Sequence, residues 1–332
     1  MQFDQQRRQQ FLNEARYLKE AARLPDEIQY FAKNPMGSGS SALHQEVLAR
    51  QSSAECCLDL FFLRYTAGEC IDGLRPRLDE IVAAYERYGE LLWKYRKDRN
   101  EFVFDFTGLD EYCQLMQIIG LCFLLHRRDL LPRVAALQDG DNGATGGSDT
   151  LYEEFMAYGM GPEIRYESDW ICHKKPYEPL FHGLTEATPE AGLKEIDLFL
   201  KNWYKDLSGT GWHDSHKPDD NGNVGGYYGY WSFEAGAAVL LLGIEDDSSL
   251  HKYLYYPKDL VAWARKHASL STNDLSAPDK LRLRCEGGEP CPKGGHWETP
   301  AKVDSRRSFQ AGEIMPSIDS DYGQTIWQWV GP

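Results

Sequence analysis

Two histidines three residues apart in a polar loop, His213-Asp-Ser-His216, are the most reactive-looking pair in this sequence. With a carboxylate such as Asp219 they could hold a divalent metal and support hydrolysis. Their spacing fits no established zinc pattern, because H-E-x-x-H needs an i, i+4 pair on one helix face. Structural hydrogen bonds are the plainer reading. Cys285, Cys291 and His296 offer three further soft ligands, but Cys-x5-Cys is not a zinc knuckle and no fourth ligand stands out. A disulfide between the two thiols would need an oxidising setting; packing as small apolar side chains is the simplest account. Glu234 stands alone in an apolar run and could be a perturbed general acid or base. A lone buried carboxylate is more often held by an Arg, His or Tyr partner that locks helix packing. On that account Glu234→Gln costs stability. No Walker loop, G-x-S-x-G, G-x-G-x-x-G or kinase set occurs, and the glycines of 143–147 lack a following Lys-Ser/Thr. No catalytic residue, metal or other cofactor is therefore expected.

These residues need elements to position them. The stretch Gly225–Ile244 is apolar on every side from Trp231 to Leu242, with Glu234 its single charge. Such a helix is covered from several directions. It is too short for a bilayer, which takes about 20 apolar residues. Around it the sequence predicts helices over 3–23, bounded by Pro25, then 41–67, 73–97, 107–126, 129–137, 150–158, 189–206 and 256–265. Residues 159–188, with Trp170, Pro176 and Pro179, read as irregular. Trp231, Tyr256 and Pro257 fall in or beside the central helices and read, with Glu234, as structural core. The pattern is that of an all-α bundle of about ten helices. After a Ser/Asp/Pro linker at 270–280, short β-prone runs at 281–285, 294–299, 308–310 and 325–330 predict a small β-rich appendage. The division expected is 1–270 for the helical domain and 271–332 for linker and extension.

Composition narrows the partner. The formal net charge is -15, and the chain holds 332 residues with 42% hydrophobic types. Nucleic acid and anionic membranes are polyanions and make poor direct partners. The N-terminus shows no apolar h-region and no run reaches transmembrane length, so a cytoplasmic location is expected. The acids concentrate. Residues 139–169 hold eight, including Glu153 and Glu154, against the lone Arg165, and 206–247 hold eight, including Asp219, Asp220, Asp246 and Asp247, against the lone Lys217. A basic protein surface, such as that of a nucleic-acid-cleaving enzyme, complements such a face.

Several blocks carry a family resemblance: Arg64-Tyr-Thr-Ala-Gly-Glu69, the Ile71–Tyr88 helix, Ile118–Leu131, Trp203-Tyr204, Trp212–His216, Gly229-Tyr-Trp-Ser-Phe-Glu-Ala235 and Tyr255-Tyr-Pro-Lys-Asp-Leu-Val261. Over about 40–270 the chain resembles the PoNi-like immunity proteins, partners of polymorphic nuclease toxins, many delivered by type VI secretion. The resemblance implies an all-α, non-catalytic protein that neutralises one cognate toxin, usually a DNase. The contacts expected are Glu153, Glu154, Asp219, Asp220, Asp246 and Asp247. The alternatives are a metal-dependent enzyme built on His213 and His216, and a non-inhibitory chaperone of a secreted effector. A homodimer stays open.

Overall fold

The computed structural model describes residues 3–218, 226–273, 284–299, 302, 305–318 and 325–331. Among them are twelve α-helical segments followed by a four-stranded antiparallel sheet. The mostly helical body with a β-rich C-terminus is the architecture the sequence predicts. No helix of the described residues is long and apolar enough to cross a membrane.

Helices α2 (Glu14–Lys33), α3 (Ala42–Thr66) and α5 (Arg77–Arg96) pack in sequence, α2 on α3 and α3 on α5. One turn, α1 (Phe3–Gln6), precedes them, and another, α4 (Ile71–Leu74), joins α3 to α5. The expected helix over 3–23 is therefore broken. Gln9 is the reason: it is buried, its amide nitrogen donates to Tyr230 O and to Leu254 O (3.1 Å), and its oxygen accepts from Tyr230 N (2.8 Å). A continuous helix could not deliver that side chain to the distant 227–254 backbone. Asn13 then caps a new helix, its Oδ1 accepting from Arg16 N at 2.9 Å. Pro25 does not end this helix but sits inside it. Only one backbone hydrogen bond is lost there, and packing along α3 carries the helix through.

Helix α6 (Leu109–Leu124) is buried over nearly its whole length, and α7 (Leu131–Ala135) and α8 (Thr150–Met160) follow. The stretch expected to be irregular contains a further helix, α9 (Lys174–Thr185), packed against α10 (Pro189–Asp206). Pro176 falls in its first turn, where the missing N–H had no helical acceptor in any case. Pro179 removes one bond from a short helix that its neighbour holds in place.

The central helix α11 runs Phe233–Leu241 and touches α6, α9, α10 and α12 (Lys258–Lys266). Gly243, at φ +64°, follows its last turn and ends it, as a glycine in the left-handed region commonly ends a helix. Its closest neighbour is α6, and Gly120 makes the approach possible: a Cβ there would lie 2.6 Å from both Glu234 N and Phe233 C. Those are backbone atoms and cannot rotate away. Gly120→Ala is expected to lower unfolding stability by about 2 kcal/mol, the cost of overpacking. Urea denaturation checks it, and an unchanged midpoint would contradict it.

The sheet has strand order β1-β4-β2-β3, with β1 Arg284–Glu286, β2 Gly295–Glu298, β3 Arg307–Phe309 and β4 Ile326–Gly331. Trp297, Trp327, Trp329, Phe309, Met315, Cys285 and Cys291 form a core separate from that of the helices. Both cysteines are free thiols.

Candidate functional site

Acidic residues placed by short loops form the candidate surface, and the first question is which of them face outward. In the 139–173 region half do: Asp141, Glu163, Glu167 and Asp169 are exposed, whereas Asp139, Asp149, Glu153 and Glu154 are not. Asp149 is fully buried and caps α8, accepting from Tyr152 N (2.9 Å), Tyr112 Oη (3.0 Å) and Cys172 N (2.9 Å). Burial raises its pKa against the pull of those donors. Glu153 is 5% exposed. Its carboxylate accepts from Gly147 N (2.8 Å) and from Arg165 Nε (2.9 Å). Arg165 also grips Asp139 through Nη1 (2.7 Å) and Nη2 (3.1 Å). The one base of this acid-rich region is thus spent internally, in a bidentate pair and a second ion pair shielded from solvent. It staples the 139–149 loop, α8 and the following strap, residues 161–173, to one another.

Glu154 is half-buried and pairs with Arg284 at the start of β1, so it ties the appendage to the helical body. At the far end of the matching acids, Asp246 is exposed and turns the chain by accepting from Ser248 N at 3.0 Å. Asp247 is buried. It accepts from Tyr256 Oη (2.5 Å) and Arg265 Nη1 (2.9 Å). Burial would raise its pKa, but these two donors outweigh burial and hold it below the usual carboxylate range. Asp219 and Asp220 lie outside the described residues. Of the six acids expected to make contacts, then, Asp246 is exposed, Glu154 is partly so, and Glu153 and Asp247 serve the scaffold.

The histidine loop is built into an aromatic cluster. His216 stacks on Phe11 with ring centroids 4.2 Å apart, and its Nδ1 is 2.7 Å from Tyr230 Oη. Burial lowers its pKa, favouring the neutral ring. His213 lies against the Tyr204 ring at 4.3 Å, with Asp214 3.8 Å from its Nδ1. Among the described residues no three His, Cys, Asp or Glu side chains are grouped to hold a metal. Asp219, the third ligand suggested by sequence, is outside them.

Trp231, Glu234, Tyr256 and Pro257 are all buried. The Trp231 indole donates to Thr66 Oγ1 at 2.8 Å. Glu234 departs from expectation. Its Oε1 accepts from Trp203 Nε1 (3.0 Å) and Ser232 Oγ (2.9 Å), and no Arg, His or Tyr among the described residues bonds to it. Its Oε2 is buried without a partner. Burial pushes the carboxyl up to about 7. The apolar run in which it sits explains why no cation reaches it.

What the sequence reading missed is the strap. Charge counting treated Arg165 as a lone base among acids, whereas it is the anchor. The exposed side chains beside it, Ile164, Tyr166 and Trp170, carry no periodicity that would single them out. The signal available was their type: large apolar residues in a loop with three acids.

Residues 147–260 match the family model described as PoNe immunity proteins (PoNi), C-terminal. That segment, about a third of the chain, runs from the N-terminal side of α8 into α12 and carries the strap, the histidine loop and the central helix. The crystal structure of Protein PA2201 from Pseudomonas aeruginosa resembles the fold, with a TM-score of 0.58 at 18% identity over 79% of this chain and 92% of that one. No curated protein matches the chain.

Proposed function

We propose that this chain, whose segment 147–260 matches the PoNi C-terminal family model, is an immunity protein that binds a polymorphic nuclease toxin of the PoNe kind and neutralises it. The observation that carries the reading is that match, which falls on the acid-rich half of the chain. The toxin proposed is a DNase delivered by type VI secretion, met in the cytoplasm. A DNase needs a basic cleft for its phosphates, and acids presented by rigid loops compete for it or cover its rim. Asp246, Glu154, Asp219 and Asp220 are the proposed contacts among the acids expected from sequence. Glu153 and Asp247 act from behind, by fixing the loops. No catalytic step is assigned to the chain, and Trp231, Glu234, Tyr256 and Pro257 serve as scaffold.

Co-expression with the nuclease encoded in the adjoining reading frame tests the reading: cells survive with this chain and die without it. Binding without protection would make it a chaperone instead. In the same system, the association rate of the purified pair is expected to fall roughly tenfold or more between low and high salt, as for steered encounters. A rate indifferent to salt, measured by stopped flow, would remove the acidic face from the encounter.

A further inference from the structure

The strap between α8 and α9 exposes three large apolar side chains within seven residues: Ile164 (53% exposed), Tyr166 (38%) and Trp170 (59%). Exposed aromatics of this size are costly in water and rarely gathered without a use. Glu163 precedes them and Glu167 and Asp169 stand between them, all three exposed. The local base, Arg165, is turned inward and neutralised by Asp139 and Glu153. The outward face of the strap is therefore apolar with mainly acidic neighbours; the exposed Lys174 just beyond it brings Nζ to 5.8 Å from the Trp170 ring centroid.

The strap is also held still. Arg165 pins its middle, and Tyr166 N donates to Glu153 Oε2 at 3.3 Å. Trp170 O accepts from Thr150 N (2.8 Å), and Cys172 N donates to the buried Asp149. The Tyr166 ring rests against glycine backbone: a Cβ on Gly146 would lie 2.2 Å from Tyr166 Cδ2, and one on Gly143 1.9 Å from its hydroxyl. Only glycines leave room for the ring there. A segment with no more than a single 3-10 turn, at Pro162–Ile164, is thus fixed by buried ion pairs and backbone hydrogen bonds. Such fixing removes the ordering cost that loops otherwise incur on binding. Rigid Tyr and Trp side chains with satisfied supports are the residue types that dominate binding energy at interfaces.

We propose that the 161–173 strap is the energetic centre of the docking surface for a basic protein partner, with Trp170 and Tyr166 as anchors and Glu163, Glu167 and Asp169 as the charged rim. The occupant is the basic face of the nuclease domain, and charge complementarity argues for it. The acids repel nucleic acid and disfavour a second copy of the same acidic strap. This assignment rests on the immunity reading above and sharpens it. It moves the binding energy from the acids predicted by sequence to aromatics beside them, leaving the acids to steer.

The test uses the full chain and the catalytically inactivated nuclease from the adjoining reading frame, with affinity measured by calorimetry and association and dissociation rates by stopped flow. Trp170→Ala is expected to weaken binding roughly 30-fold or more, the loss typical of a hot-spot aromatic. Glu167→Lys is expected to slow association and leave dissociation nearly unchanged. Tyr30→Ala, which removes an equally exposed aromatic on α2 outside the family match, is expected to bind as wild type. Trp170 is exposed, so circular dichroism and the thermal midpoint of Trp170→Ala should match wild type. If the wild-type chain neither binds nor protects, the immunity reading fails. If it does both while Trp170→Ala and Glu167→Lys bind as wild type, the strap assignment fails alone. Loss of self-association in Trp170→Ala, with nuclease affinity intact, would make the strap a homodimer face and overturn the proposal.

Discussion

Arg165→Ala is expected to lower the unfolding free energy by about 3–5 kcal/mol, the range for removing one partner of a buried ion pair. The Arg165 side chain is only 4% exposed, and its partners Asp139 and Glu153 are 15% and 6% exposed. Without the guanidinium, two carboxylates sit together in a site largely shielded from water. Neither can move out, because Tyr152 Oη holds Asp139 at 2.8 Å and Gly147 N holds Glu153. Arg165→Lys should recover little. A single ammonium cannot make the two parallel bonds to Asp139 and the third to Glu153 at once. Hydrogen exchange separates two forms of the loss. If only the 139–149 loop and the strap open, protection falls there and α3, α5 and α6 stay protected. A change under about 1 kcal/mol in urea, with protection intact throughout, would show that the ion pairs contribute nothing. Because the strap is the proposed docking centre, the same variant should also lose the nuclease more than its stability alone explains.

Glu234→Gln is expected to remove a pH dependence and, at high pH, to stabilise the protein. The carboxyl titrates near 7 in the folded chain against a reference of 4.5. A raised carboxyl pKa means that stability is complete below about pH 4.5, where both states are protonated. Stability falls as pH rises through the window from 4.5 to 7, because the folded state keeps a proton that the unfolded chain has released. The difference corresponds to about 3 kcal/mol above pH 7. Gln has no charge to bury and can still accept from Trp203 and Ser232. Its amide nitrogen would occupy the place of Oε2, which has no partner, at a cost of about 1–2 kcal/mol. The variant should therefore be less stable than wild type at pH 4.5 and more stable at pH 8 by about 1–2 kcal/mol. Urea titrations at the two pH values give the crossing directly. Parallel pH profiles for the two proteins would mean that Glu234 is not titrating in the fold. The sign at pH 8 is opposite to the loss of stability expected from sequence, in which an Arg, His or Tyr partner holds the carboxylate.

The contrast between these residues shows where sequence is informative. Helices α3, α5 and α6 are legible because their apolar spacing is a local property, repeated every three to four residues. The burial of α11 is legible for the same reason: a helix apolar all round can only be interior. Gly243, just past the end of α11, carries its meaning in its own backbone chemistry. The strands of the appendage follow from β-prone runs between Gly and Pro. The family resemblance, resting on several blocks, recovers the matched segment as well.

Only the tertiary structure decides which charges face out. Glu153 and Glu154 are adjacent in sequence and alike in chemistry. One is closed into a pair with Arg165, twelve residues on, and the other meets Arg284, 130 residues on. Gln9 breaks a helix that its neighbours favour because Tyr230, 221 residues away, binds it. Pro25 and Pro179 are tolerated because packing against α3 and α10 offsets the bonds they remove. The expected Arg, His or Tyr partner of Glu234 is absent among its described partners, where an indole and a serine hydroxyl stand instead. Each of these outcomes depends on contacts between segments remote in sequence. Composition and periodicity determined that the chain would be an acidic helical protein around a buried helix. Which acids brace the strap, and which aromatics it leaves in solvent, follows from the three-dimensional closure of Arg165 on Asp139 and Glu153.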